Sequence, residues 1–151
     1  MGTALRAAPS FRAFPAPIRS RIRYHLLRGN QMSAISEADV RTRIERLMES
    51  DLSDRTGFLG AQYDLGLAWI HFPEGSGGLG AGRGFQRLVH DAVVAVDAPQ
   101  PKYEIGYGMA APTIAEVGTD DQKTRWLRPL FTGEEVWCQL FSEPGAGSDV
   151  A

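Results

Sequence analysis

The most informative pattern in this sequence is VWCQLFSEPGAGSDVA, residues 136–151. Its first six residues alternate, with Val136, Cys138 and Leu140 on one side, which predicts a β-strand. A proline and two glycines then predict a tight turn, since glycine tolerates a positive φ and a close backbone approach. Ser142 and Ser148 place hydroxyl groups on either side of that turn. Such a corner can present N–H and O–H donors to an anion or to the polar edge of a ring.

Composition alone leaves a second interpretation open, because Gly/Ser turns are common on protein surfaces. In that case residues 142–148 are a turn and nothing more.

Length and charge limit the class of protein. The 151 residues suit one domain, and 43% hydrophobic with 23% charged residues is ordinary for a globular chain. From Glu37 onward there are ten basic and eighteen acidic residues, which argues against a nucleic-acid-binding face. Cys138 is the single cysteine, so an internal disulfide is excluded and a reducing compartment is indicated. No apolar run approaches the ~18 residues of a membrane span.

Residues 1–35 are predicted to be a disordered basic extension, with six arginines and no acidic residue. One interpretation is an upstream extension of the reading frame, with Met32 as the start and a cytoplasmic protein as the result. The alternative is a mitochondrial transit peptide, which is Arg-rich and poor in acidic residues, and a location in the matrix. The prolines in this segment argue against the helix that a transit peptide needs.

Five helices are predicted between Ser36 and Gly133, so the fold class is all-α. Capping boxes at Ser36 and Thr119 predict two helix starts, and Pro129 is predicted to split the last helix. The other predicted helices lie at 58–64, 85–96 and 103–117. The residues expected to face the core are Val40, Ile44, Leu47, Met48, Phe85, Leu88, Val89, Ala92, Val93, Val96, Ile105, Met109, Ile114, Val117, Trp126, Leu127, Leu130 and Phe131.

The glycine-rich stretch at residues 75–80 matches the GxGxxG pattern, and Asp97 follows Gly77 by twenty residues. A dinucleotide-binding turn is nevertheless rejected, because Pro73 and Glu74 separate it from the preceding apolar run and no helix follows directly. The stretch is predicted to be a flexible surface loop.

The histidines carry no predicted chemistry. His90 is expected to be partly buried and satisfied beside the apolar stripe of the third helix. His25 and His71 have no partners at metal-ligand spacing, so no metal site is predicted.

The string SEPGAGSD resembles the first signature of the acyl-CoA dehydrogenase family, a group of flavin enzymes. The resemblance extends back to about Glu37 through PEGSGGLG (73–80) and GTDDQ (118–122). It implies a helical N-terminal domain over residues 36–134 and the start of a middle β domain at 135–151.

The resemblance also implies an activity. Family members remove two hydrogens from the α and β carbons of an acyl-CoA thioester, with FAD as hydride acceptor, as in fatty acid β-oxidation. An electron-transfer flavoprotein is the expected electron acceptor, and the full-length relative is expected to be a homo-oligomer. An acyl-CoA oxidase of the same class remains an alternative, as does a helical interaction module without cofactor.

The resemblance implies particular site residues. One wall of the FAD site would comprise Gln139, Leu140, Phe141, Ser142, Gly147 and Ser148, and Ser148 would also touch the CoA moiety. Pro101 and Ile105 are predicted at the floor of the acyl pocket. Glu143 is interpreted as structural, and no catalytic residue is assigned, because the family's catalytic carboxylate lies beyond Ala151. The chain alone is therefore expected to be inactive and to lack tight FAD binding. It is expected to form a helical domain with a frayed tail, because an isolated strand is not stable.

Overall fold

The computed structural model describes residues 35–140. Its five α-helices are α1 (Glu37–Met48), α2 (Arg55–Asp64), α3 (Gln86–Ala95), α4 (Ala111–Val117) and α5 (Asp120–Thr132). A short 3₁₀ turn, Arg83–Phe85, precedes α3, and a π-helix, Ile105–Ala110, runs directly into α4. The described residues contain no β-strand, so the all-α fold class is confirmed for that range.

Helix α1 begins where the sequence predicts, at a capping box. The Asp39 amide donates to the Ser36 hydroxyl at 3.3 Å, and the Asp39 carboxylate accepts from the Ser36 amide at 2.9 Å. Both hydrogen bonds satisfy donors that the helix itself leaves unpaired. The Ser36 hydrogen bonds also hold the pKa of Asp39 below its ordinary value. Val40 and Leu47 are fully buried on the inner face.

Helix α2 begins at Arg55, three residues before the predicted start. The Asp54 side chain accepts a hydrogen bond from the Gly57 amide at 3.0 Å, and this cap extends the helix into the polar stretch. Five of the ten residues of α2 are buried, and Phe58 and Leu59 are fully buried.

The glycine loop, residues 66–80, contains the stretch 75–80 that is predicted to be a flexible surface loop, and that prediction is wrong for residues 76–79, which are buried. Ser76 and Leu79 are only 5% and 4% exposed. The Gly77 carbonyl accepts from the amides of Ala68 and Trp69, at 3.1 and 3.0 Å. A Cβ atom at Gly78 would collide with the carbonyl oxygen of Phe72. The loop is thus folded tightly onto itself and into the core.

Helix α3 buries Val89 and Val93, as its apolar stripe predicts. The helix ends at Ala95, and Val96 beyond it is 45% exposed, contrary to the prediction. His90 is exposed rather than partly buried, and it lines a cleft beside α3.

The irregular fourth segment is a π-helix followed by α4, and its buried face is not the predicted one. Ile105, Met109 and Val117 are 38%, 52% and 73% exposed, while Gly106 and Ala111 are buried. The wider turn of a π-helix shifts the side chains away from the α-helical period. The small residues face inward because a Cβ at Gly106 would already lie 3.2 Å from Leu130.

Helix α5 begins at the predicted Thr119 capping box, and Gly133 ends it with a φ of 82°. Pro129 does not split the helix as predicted. The residues around it, Leu127 and Leu130, are buried, so packing holds the helix together across the missing N–H donor. Trp126 is half-buried, less than the prediction required.

The predicted strand at 136–141 is not formed over its described part. Residues 136–140 belong to no helix or strand. No neighbouring strand lies within residues 35–140 to pair with them, and an isolated strand is not stable.

Candidate cofactor- and substrate-binding site

The terminal strap, residues 134–140, leads from α5 toward the Gly/Ser corner. Gln139 and Leu140 are both exposed, and Leu140 is 87% exposed. The Gln139 amide nitrogen donates to the sulfur of Met109 in the π-helix at 3.4 Å. The other residues predicted for the flavin wall, Phe141, Ser142, Gly147 and Ser148, lie outside the described residues, as does Glu143.

The strap keeps the predicted alternation only as far as Cys138, although it is not a strand. Glu135 and Trp137, on either side of Val136, are half-buried. Val136 and Cys138 are exposed, and so are both Gln139 and Leu140. One row of side chains is therefore free to contact a ligand or a further part of the protein.

A cleft of about 630 Å³ separates α3 from the π-helix and α5. Its floor is apolar and includes Trp69, Val89 and Phe131, all of which also belong to the core. Its remaining lining residues are mostly polar, and Pro101 lies at its edge. This volume falls in the range of ordinary small-molecule sites.

The two residues predicted for the acyl pocket are not brought together. Pro101 is half-buried and lines the cleft, whereas Ile105 is 38% exposed and does not line it. The π-helix explains this, because it turns Ile105 outward while Tyr107 lines the cleft.

Aromatic packing fixes the floor of the cleft. The Trp69 ring stacks on Phe72 with centroids 5.0 Å apart, and Phe131 meets it edge-on at the same distance. The Trp69 indole N–H donates to the Tyr107 carbonyl at 3.1 Å, so the buried polar atom is satisfied. The segment 68–72 is thereby tied to the π-helix.

Gln86 is a structural residue of the cleft that the sequence analysis missed. Its amide oxygen accepts from the Ile70 amide at 2.9 Å, and its nitrogen donates to the carbonyls of Leu67 and Ala68. It satisfies the backbone of a buried non-helical segment. No local sequence pattern signals such a role, because the partners lie sixteen or more residues away.

His71 has an unusual environment at the edge of the cleft. Its Nδ1 atom is buried and has no hydrogen-bond partner among the described residues. Burial, and next the positive charge of Arg83, hold the pKa of His71 below its ordinary value. The imidazole is therefore kept neutral. No group of three potential metal ligands occurs between residues 35 and 140.

An ion pair braces α2 against α5. The Arg128 guanidinium donates to both carboxylate oxygens of Asp64, at 2.9 and 3.0 Å. It lies over Gly60, where a Cβ atom would be 2.5 Å from the guanidinium nitrogen. The absence of a side chain at Gly60 therefore allows this close crossing.

Comparison with known proteins agrees with this helical architecture. The family model described as "Acyl-CoA dehydrogenase, N-terminal domain" matches residues 29–134, more than half of the chain. The chain therefore belongs to the acyl-CoA dehydrogenase family.

Individual relatives match a shorter part. FadE34 of Mycobacterium tuberculosis, an acyl-CoA dehydrogenase, is 46% identical over 88 residues, which are 58% of this chain and 12% of the relative. IpdE1 of the same species, also an acyl-CoA dehydrogenase, is 36% identical over 86 residues, 57% of this chain and 22% of the relative. The chain thus spans less than a quarter of the length of these curated relatives.

No solved structure matches the chain. Among residues 35–140, every helix is too short or too polar to cross a membrane.

Proposed function

We propose that this chain supplies the N-terminal helical domain, and one wall of the cofactor site, of an FAD-dependent acyl-CoA dehydrogenase. The observation that carries the proposal is the family match over residues 29–134, which ends where the terminal strap begins. The exposed Gln139 and Leu140 support it, because a residue that contacts a large cofactor must be accessible.

FAD, when bound, accepts hydride from the β carbon of the acyl group, and the protein supplies orientation and hydrogen-bond donors. In the proposal, Gln139 through Ser142 lie beside the flavin ring, and the Ser142 hydroxyl donates to its polar edge. Gly147 and Ser148 allow the backbone to approach the diphosphate, and Ser148 also contacts the CoA part of the substrate. Donors fixed in place before reaction stabilise the charge that reduction brings to the ring.

The cleft beside Pro101 is the proposed end of the acyl pocket. Its apolar floor and its volume of about 630 Å³ suit an acyl chain. Ile105 is not part of this proposal, because its side chain is exposed on the π-helix and does not line the cleft.

The wider assignments rest on the family. An acyl-CoA substrate, an electron-transfer flavoprotein as acceptor, a homo-oligomeric full-length protein and a cytoplasmic location remain predictions. An oxidase of the same class would differ in its access of oxygen to the flavin. A helical interaction module is the alternative from another class, and the exposed Ile105 and Met109 would favour it as apolar contact residues.

A chimera tests the proposal. Residues 35–151 replace the corresponding segment of IpdE1, which is 36% identical over 86 residues. We expect the chimera to purify with stoichiometric flavin and to reduce a dye acceptor with one or more saturated acyl-CoA thioesters. A Ser142→Ala chimera, which lacks one proposed donor, should lose turnover by about 10²-fold while staying folded.

Two controls make the result decisive. A folded chimera, judged by circular dichroism and size, that binds no flavin would contradict the proposal. The unmodified 151-residue chain should not quench flavin fluorescence when titrated with FAD, and stoichiometric quenching would show that the wall needs no other domain.

A further inference from the structure

The terminal strap is fastened to the helical body at alternate residues. The Glu135 carboxylate pairs with the Arg125 guanidinium at 2.6 Å, and the Glu135 amide donates to the Pro129 carbonyl at 3.1 Å. Two residues later, the Trp137 ring packs edge-on against Trp126, with centroids 5.6 Å apart. Two residues later again, Gln139 donates to the sulfur of Met109, so α5 and the π-helix hold one row of the strap.

The surface beneath the strap is shaped to receive it. Gly106 of the π-helix is buried, and a Cβ atom there would lie 3.8 Å from Cβ of Trp137. Trp137 is half-buried and packs against the hydrophobic core. The hydrogen bond from Arg125 holds the pKa of Glu135 below its ordinary value, so its carboxylate is charged at neutral pH.

The three attachments differ in kind. An exposed ion pair contributes little alone, since Arg125 and Glu135 are 61% and 32% exposed. An aromatic pair with an apolar footing contributes more and fixes orientation. Together they tie Glu135, Trp137 and Gln139 to the body, with Glu135 and Trp137 half-buried and Gln139 still exposed. Val136, Cys138 and Leu140 make none of these contacts and are exposed.

We propose that Arg125 and Trp126 are positioning residues that, through Glu135 and Trp137, set the direction in which the strap leads from α5 toward the flavin. The last step of this inference rests on the proposed function. The strap itself does not, because it is defined by contacts among residues 106–139. Neither residue touches the cofactor in this scheme. Their effect on the flavin passes through the direction of the strap.

Cys138 provides a natural site for attaching a spectroscopic label to the strap. Cys138 is the single cysteine of the sequence, and it lies exposed on the outward row. A nitroxide attached to Cys138 reports the mobility of the strap by electron paramagnetic resonance. In the unmodified chain we expect a slow, ordered spectrum that becomes fast only in urea.

Four variants of the labelled chain then separate the attachments. Arg125→Ala combined with Trp126→Ala should shorten the rotational correlation time of the label several-fold. Trp126→Phe should restore most of the order, since it keeps an aromatic contact. Glu135→Gln, which leaves the helices untouched, should give a smaller change. Arg41→Ala, which removes an exposed ion pair on α1, should give none.

Folding is checked on every variant by circular dichroism and thermal unfolding. Should the double variant unfold, Glu135→Gln and Trp126→Phe still report, because both preserve the packing of α5. If the label is as mobile in the native chain as in urea, the strap is not held against the helical body. If a folded double variant gives the same spectrum as the unmodified chain, Arg125 and Trp126 do not hold the strap.

The step to the flavin is tested in the IpdE1 chimera. Trp126→Ala should lower flavin occupancy several-fold and shift the visible flavin spectrum, with Trp126→Phe restoring both. Unchanged occupancy and spectrum in a folded Trp126→Ala chimera would overturn the positioning role. An unmodified chimera that is folded but flavin-free would instead contradict the proposed function. The attachment of the strap would then be judged from the spin-label experiment alone.

Discussion

The glycine loop and the terminal strap are both non-helical, yet they are held in opposite ways. The backbone of the loop is satisfied within the loop, as when the Gly77 carbonyl accepts two amides, and by the Gln86 side chain, and the loop buries Leu79 and Trp69 in the core. The strap is held mainly by side chains on one row, and Val136, Cys138 and Leu140 on the other row are exposed. A buried segment with a satisfied backbone gives the fold stability, whereas a segment held on one side remains available for binding.

First, we expect Trp69 in the glycine loop to contribute much more to the free energy of unfolding than Trp137 in the strap. Trp69→Ala empties the buried aromatic cluster and should cost about 4 kcal/mol of unfolding free energy. Trp137→Ala removes a half-buried ring and should cost about 1 kcal/mol. Urea unfolding monitored by circular dichroism measures both. Comparable losses for the two variants would mean that the strap is part of the core.

A second prediction concerns glycines of the same region. Gly78→Ala forces a Cβ atom into the backbone of Phe72 and Trp69, and should cost about 3 kcal/mol. Gly82→Ala is the matched control, because nothing lies within 4 Å of its Cβ position and its φ of −63° suits alanine. That control should be neutral or stabilising by about 0.5 kcal/mol.

If the Gly78→Ala and Gly82→Ala chains are equally stable in the same urea titration, the glycine loop is not tightly packed and is the flexible surface loop that the sequence suggests. The loop and the strap would then not differ in how they are held.

What the sequence could predict was set by short-range chemistry. The Ser36 and Thr119 capping boxes and the Gly133 helix end depend on residues within four positions, and all three are confirmed. The burial of the glycine loop depends on contacts such as Gly78 against Phe72, which no local pattern reveals.

The candidate site follows the same rule. The alternation of residues 136–140 could be predicted, because it is a property of neighbours, and the exposure pattern keeps it as far as Cys138. The placement of Ile105 could not be predicted, because the π-helix departs from the period on which the prediction relied. The absence of a strand was predictable, since an isolated strand is not stable and residues 35–140 contain no partner for it.

The third prediction is that the loop and the strap respond to acid in different pH windows. His71 lies in the loop, and burial lowers its pKa from 6.5 in the folded state. Its contribution to stability is therefore fully present above pH 6.5 and is lost as pH falls through the folded-state pKa. The unfolding free energy should fall over that window, and His71→Gln should flatten the fall. His90→Gln, at an exposed position on α3, should leave it in place.

Glu135 in the strap gives a smaller and later effect. Arg125 lowers its pKa from 4.5, so the ion pair is intact above pH 4.5 and is lost as pH falls through the lowered value. The label on Cys138 should therefore stay ordered between pH 7 and pH 5, while the stability that depends on His71 declines, and should gain mobility only in stronger acid. Glu135→Gln should remove that late change. If the label loosened in the same window as His71 titrates, the strap and the loop would be one cooperative unit, and a separately held strap would be ruled out.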